Sequence, residues 1–103
     1  MRYLVVLDAR TPIAGCYASG NNDGYINDGN LYHPVLDCLE VATDAPYYVF
    51  VKRDMEKQGS NYQSLYIPHG SVVAIYCYAD EGPKPCGFIA TRHVVSEENA
   101  QNK

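Results

Sequence analysis

The sequence predicts an all-β protein, a single small antiparallel barrel or sandwich carrying one long Asn/Asp/Gly-rich loop. Three observations point there. Short β-branched and aromatic runs broken by turn residues recur along the chain, the pattern of a sandwich or barrel. No stretch sustains a helical apolar period: residues 54–58 are helix formers, but Gly59 ends them after barely a turn. At 103 residues the chain makes one domain, long enough to bury about 60–68% of its unfolded surface in one core. We place that domain at 1–95, followed by a polar tail at 96–103.

The expected strands, in order, are 2–9, 13–18, 35–43, 47–53, 63–68 and 71–78, with a weaker seventh at 87–95. Between the second and third lies the loop 19–30, in which Asn-Asp-Gly occurs at 22–24 and again at 27–29, both strong turn signals. Asp44-Ala45-Pro46 makes a tight connection, residues 57–61 a looser polar one, and 80–85 a further loop. A tight turn at Pro68-His69-Gly70 folds 71–78 back on 63–68, pairing Ile67 with Ser71, Leu65 with Val73 and Gln63 with Ile75. Strand alternation then collects Leu65, Ile67, Val73, Ile75 and Cys77 on an aliphatic core face. The opposite face gathers Tyr62, Ser64, Tyr66, Val72, Ala74, Tyr76 and Tyr78. Apolar patches of this kind mark interfaces, so Tyr62, Tyr66, Tyr76 and Tyr78 are expected to mediate self-association.

Composition narrows the class further. The hydrophobic fraction of 47% and charged fraction of 19% are those of a globular chain. Eight basic against twelve acidic residues give a net charge of −4, which argues against a general binder of nucleic acid or anionic membranes. The acidic excess belongs to residues 1–46, and the acidic loop 19–30 suits a basic protein patch or a cationic small molecule. The longest apolar run, 3–7, is too short for a membrane span or a secretory segment. Ten tyrosines with no tryptophan suit half-buried strand surfaces and interfaces.

Cys16, Cys38, Cys77 and Cys86 are read as reduced thiols of a cytoplasmic protein, Cys38 and Cys77 acting as small hydrophobes within strands. No C-x-x-C pair is present, which excludes a zinc ribbon or a thioredoxin-type site.

From Val35 to Tyr78 the order is strand, tight turn, strand, loop, strand, very short turn, strand. This layout resembles the small barrels of the Sm-like superfamily. Residues 63–69 leading into 71–75 are similar to the segment in which its bacterial RNA chaperones carry Tyr-Lys-His. Tyr66 and His69 match the Tyr and His, while Ile67 and Pro68 stand where the lysine would be. The resemblance implies an Sm-like or SH3-like fold, RNA binding, and ring assembly through strand edges. In style alone, the chain is also similar to products of mobile integron gene cassettes.

Candidate sites are few. His69, beside Tyr66 at the predicted turn, is the histidine placed to be exposed at a ligand site; its bland role is to satisfy a backbone carbonyl. Aligning Gly24 with the invariant glycine of an EF-hand leaves Asn30 where a bidentate glutamate is required, so a true EF-hand is rejected. Asp23 and Asp28 remain as ligand-binding carboxylates of the loop. Lys52 and Arg53, near Tyr47, Tyr48 and Phe50, are the candidate single-strand-binding patch. The cysteines and histidines lack ligand spacing and a nucleophile-base pattern.

The chain is therefore expected to be a non-enzymatic, self-associating binding or assembly module without a cofactor, its partner a protein or small molecule. The alternatives are an Sm-like RNA-binding ring and a small Cys/His metal protein or enzyme.

Overall fold

A computed structural model describes residues 1–18, 21–54, 62–79 and 88–90. Its elements are β1 (Arg2–Leu7), a one-turn helix α1 (Pro12–Gly15), β2 (Gly24–Asn27), β3 (Tyr32–Ala42), β4 (Tyr48–Asp54), β5 (Tyr62–Pro68), a 3₁₀ turn over His69–Ser71, β6 (Val72–Tyr78) and β7 (Phe88–Ala90). The seven strands form one antiparallel sheet with the path β5-β4-β3-β1-β6; β2 pairs with β3 and β7. The all-β expectation therefore holds.

The run Leu4-Val5-Val6-Leu7 is apolar at every position because β1 lies mid-sheet and is buried on both faces. Val5 and Leu7 join Leu36, Cys38, Val49, Val51, Ile67, Ala14 and Tyr17 in the main core. Leu4 and Val6 turn the other way, onto Val35 and Tyr78, with Ile26, Ala74 and Phe88 against them. Each of the four side chains gains about 1.5–3 kcal/mol by leaving water.

Two bulges set which residues face outward. In β3 the register with β4 slips between Cys38 and Glu40, so Cys38 and Val41 both reach the main core while Leu39 and Glu40 are exposed. In β6 the partner of Val6 is Ala74 and that of Leu7 is Val72, which leaves Val73 51% exposed.

Several expectations are corrected. The strand predicted at 13–18 is instead the helix α1. Pro12 presets φ at its first turn, the Thr11 amide and hydroxyl both donate to the Asp8 carbonyl, and Ile13, Ala14 and Tyr17 pack on the main core. The loop predicted at 19–30 contains β2, whose Gly24 to Asn27 stand opposite Val35 to Tyr32. Only the second Asn-Asp-Gly is an exposed turn. There Gly29 has φ of +103°, and the Asp28 carboxylate accepts the Asn30 and Leu31 amides. The first is interior: Asn22 is buried, donates to the Tyr17 carbonyl and accepts the Gly24 amide. Of the seventh strand, Phe88–Ala90 is observed; the tail at 96–103 lies outside the described residues.

The predicted pairing of 63–68 with 71–78 is also overturned. Ile67, Leu65 and Gln63 stand opposite Val49, Val51 and Arg53 of β4, while β6 runs beside β1. A 3₁₀ turn does not reverse the chain as a two-residue hairpin turn does. The Asp8 amide captures the Ser71 carbonyl at 2.8 Å, starting β6 next to β1. The His69 amide donates to Tyr47 O at 3.0 Å, tying the turn to the start of β4. Among the described residues no ladder joins β5 to β6, so the sheet is open, and the Sm-like barrel is not the fold of this chain. Cys77, expected on the core face with Val73, is exposed, as Val73 is.

Candidate interaction surface

The β3 strand carries two partners along one edge: β2 along its first four residues, β4 from Cys38 onward. The Asp37 amide falls between those ladders, and the Asp23 carboxylate accepts it at 2.8 Å. Arg53 closes the fork from β4, its Nη2 lying 3.2 Å from the same carboxylate oxygen. Its Nη1 donates to Gln63 Oε1 at 3.2 Å, and its guanidinium lies 5.4 Å from the Tyr17 ring centroid. Burial pushes the Tyr17 hydroxyl's pKa upward. On the opposite face Asp37 Oδ1 receives Arg2 Nε at 3.2 Å and the Tyr78 hydroxyl at 3.1 Å. Burial first, then the Asp37 charge, pushes the Tyr78 pKa up to about 12.

These placements revise the predicted sites. Lys52 and Arg53 do not form one basic patch: strand alternation turns Arg53 inward, 1% exposed, and leaves Lys52 outward, 3.6 Å from Glu40. Asp23, expected in an exposed loop, is held in the fork by Arg53. Asp28 is engaged by two amides and by His33, and these bonds, the two amides foremost, hold its pKa below the ordinary value of 3.8. Its carboxylate therefore serves the turn first. His69, offered as a ligand residue, places Nε2 2.9 Å from the Ala45 carbonyl. Tyr66 stands on β5, away from it along the strand.

His33, which the sequence offers only as one of the scattered Cys/His groups without metal-ligand spacing, is given a structural task by the fold. It is buried; its Nδ1 accepts the Ala9 amide at 3.0 Å, and Nε2 lies 2.9 Å from Asp28 Oδ2. Because an amide can only donate, Nδ1 is the acceptor and Nε2 carries the proton to Asp28. Both nitrogens are thus spent on joining the segment after β1 to the β2–β3 turn, and neither is presented as a base. Its position two residues before Val35, in a stretch with no apolar alternation, gave no signal.

The four predicted interface tyrosines are dispersed. Tyr66 is 70% exposed on β5, Tyr76 38% exposed on β6, and Tyr78 is buried over Asp37. Tyr62 stands opposite Asp54 at the start of β5. What the fold does bring together is the outer face of β4 and β5. There Tyr48 stands opposite Pro68, Phe50 opposite Tyr66, and Lys52 opposite Ser64. The Phe50 and Tyr66 rings pack at 5.3 Å with planes inclined by 55°. Tyr47, beside them in sequence, is 75% exposed. Glu40 and Lys52 pair across β3 and β4 at the margin of this face.

Among the described residues no group of three or more His, Cys, Asp or Glu is placed to hold a metal ion, and no helix is long and apolar enough to cross a membrane. No protein-family model, curated protein or solved structure matches the chain. The resemblances to Sm-like barrels and to integron cassette products thus gain no support from relatives.

Proposed function

We propose that the chain is a non-enzymatic binding module that self-associates through the outer face of β4 and β5. The observation that carries this reading is the Phe50–Tyr66 pair, in which half-buried Phe50 packs against a Tyr66 ring that is 70% exposed, with exposed Tyr48 and Pro68 beside it. Large rings left in water on a sheet face gain by meeting a second apolar surface. The neighbouring Glu40–Lys52 pair suits a two-fold contact, in which each Lys52 meets the Glu40 of the other copy. Free thiols at Cys16, Cys38 and Cys77 fit a reducing compartment, and we place the module in the cytoplasm.

Analytical ultracentrifugation of the wild type and of Tyr66→Asp tests the proposal. The wild type is expected to form a discrete oligomer with no added ligand mass, and Tyr66→Asp to sediment as a folded monomer. A wild type that stays monomeric at all concentrations, or an unchanged oligomer in the variant, overturns it.

A further inference from the structure

Ala9 and Arg10 lie on the connection that carries the chain from β1 to α1, and one side chain of β3 fastens it. His33 Nδ1 accepts the Ala9 amide at 3.0 Å, and the same ring reaches Asp28 Oδ2 through Nε2 at 2.9 Å. The residue is 4% exposed, so bulk water is not at hand to replace either partner.

The two bonds answer differently to a proton. Imidazole is the side chain that ordinarily changes charge between about pH 5 and 8. Once protonated, Nδ1 is a donor and faces the Ala9 N–H, donor against donor, while Nε2 goes on donating to Asp28. Asp28 stays ionised through that range, because the Asn30 and Leu31 amides and His33 hold its carboxyl below the ordinary value. The imidazolium thus keeps its anchor in the β2–β3 turn and loses its hold on Ala9. Among the described residues the other charges acting here are Asp8, on the fastened segment, and Arg10, whose Nη2 lies 2.9 Å from Asp8 Oδ2. His69 supplies the contrast: its Nε2 donates to the Ala45 carbonyl, a bond that both charge states keep.

Ala9 lies beyond both ladders of β1, which end at Val6 and Leu7, so its release spares the sheet. What it loosens is the approach to α1, which lays Ile13, Ala14 and Tyr17 on the main core. We propose that His33 is a pH-operated clasp, whose protonation releases the Ala9 amide and frees the β1–α1 connection while the strands stay paired.

Nuclear magnetic resonance of the full chain from about pH 8 to about pH 5 tests this. The His33 ring is expected to carry its proton on Nε2 at the upper end and to be an imidazolium at the lower. The Ala9 amide should shift in step with the ring. Its protection from exchange, corrected for the intrinsic pH dependence, should fall about two- to tenfold, the worth of one net hydrogen bond. The amides of β1 should keep their protection. His33→Asn offers an oxygen near the place of Nδ1 and does not titrate, so its Ala9 amide is expected to hold still across the range. The wild-type titration decides alone if that variant does not fold. An Ala9 amide indifferent to the ring's titration, a ring that stays neutral until the protein unfolds, or the same Ala9 shift in His33→Asn overturns the proposal.

Discussion

Arg53 Nη2 and Asp23 Oδ2 meet at 3.2 Å inside the sheet, 1% and 8% exposed in their side chains, where β2 and β4 diverge along one edge of β3. The pair fills a gap in the ladder, since the same carboxylate oxygen also takes the otherwise unpaired Asp37 amide. A buried charge left without its partner is far more costly than the pair is favourable. The guanidinium has its own shortfall: Arg53 Nε is buried with no hydrogen-bond partner among the described residues.

It follows that Asp23→Ala destabilises the fold by about 3–5 kcal/mol, because it strands both Arg53 and the Asp37 amide. The double variant Asp23→Asn, Arg53→Met removes the charge while keeping an acceptor for that amide, and is expected to recover most of the loss. Urea denaturation of the three proteins measures this. A double variant no more stable than Asp23→Ala would show that the charge itself is not what matters.

Acid should act at the two turns bearing carboxylates with depressed pKa values. The Arg10 side chain and amide hold Asp8 down to about 2, and the Asn30 and Leu31 amides with His33 hold Asp28 below its ordinary value. A folded-state pKa below the unfolded one means that the ionised carboxylate's stabilisation is complete above the ordinary carboxylate range. It is lost as pH falls through the folded value. Stability is therefore expected to decline from about pH 4 towards about pH 2, and Asp28→Asn to flatten that decline while lowering stability at about pH 5. Identical pH profiles for variant and wild type would contradict the assignment.

At the alkaline end, burial pushes the Cys38 pKa up to about 12, and that of Tyr78 likewise to about 12. Raised folded values leave stability intact below the unfolded pKa values and remove it as pH rises through the folded ones. At about pH 8 a thiol reagent should therefore modify Cys16 and Cys77, which are exposed, and reach Cys38 only on unfolding. Cys38→Ser is expected to leave the fast phase of labelling unchanged; a reduced fast phase would place Cys38 in reach of solvent.

Two glycines should respond with opposite sign to alanine. Gly29 has φ of +103° in the β2–β3 turn, so Gly29→Ala is expected to cost about 1–2 kcal/mol. Gly15 ends α1 with open space around the added methyl, and Gly15→Ala is expected to stabilise by about 0.5–1 kcal/mol. Thermal melts of both variants test the pair, and equal shifts would refute the conformational argument.

How far the sequence reaches is seen in particular strands. Residues 2–7, 48–54 and 72–78 were legible because each is rich in β-branched and aromatic residues, whether both faces are covered as in β1 or one looks outward as in β4. Residues 13–18 were misread because the helix that starts at Pro12 is held by Ile13, Ala14 and Tyr17 on a core assembled from distant strands. The candidate site was half legible. Exposed tyrosines were anticipated, but Tyr66 was set on one face with β6, opposite Val72, whereas its ring partner is Phe50 on β4. That error came from one turn, since choosing a hairpin at Pro68-His69-Gly70 fixes every neighbour of β5 and β6.

By itself the sequence determined an all-β domain, most strand positions and an aromatic-rich surface, because alternation, propensity and turn chemistry are local. Only the tertiary structure decided which strands are neighbours, that Arg53 turns inward to Asp23, and that Gly24 lies under Phe88. Pairing depends on contacts between residues far apart in the chain. A charged residue on a strand declares its face only when the partner that neutralises it has been brought there by the fold.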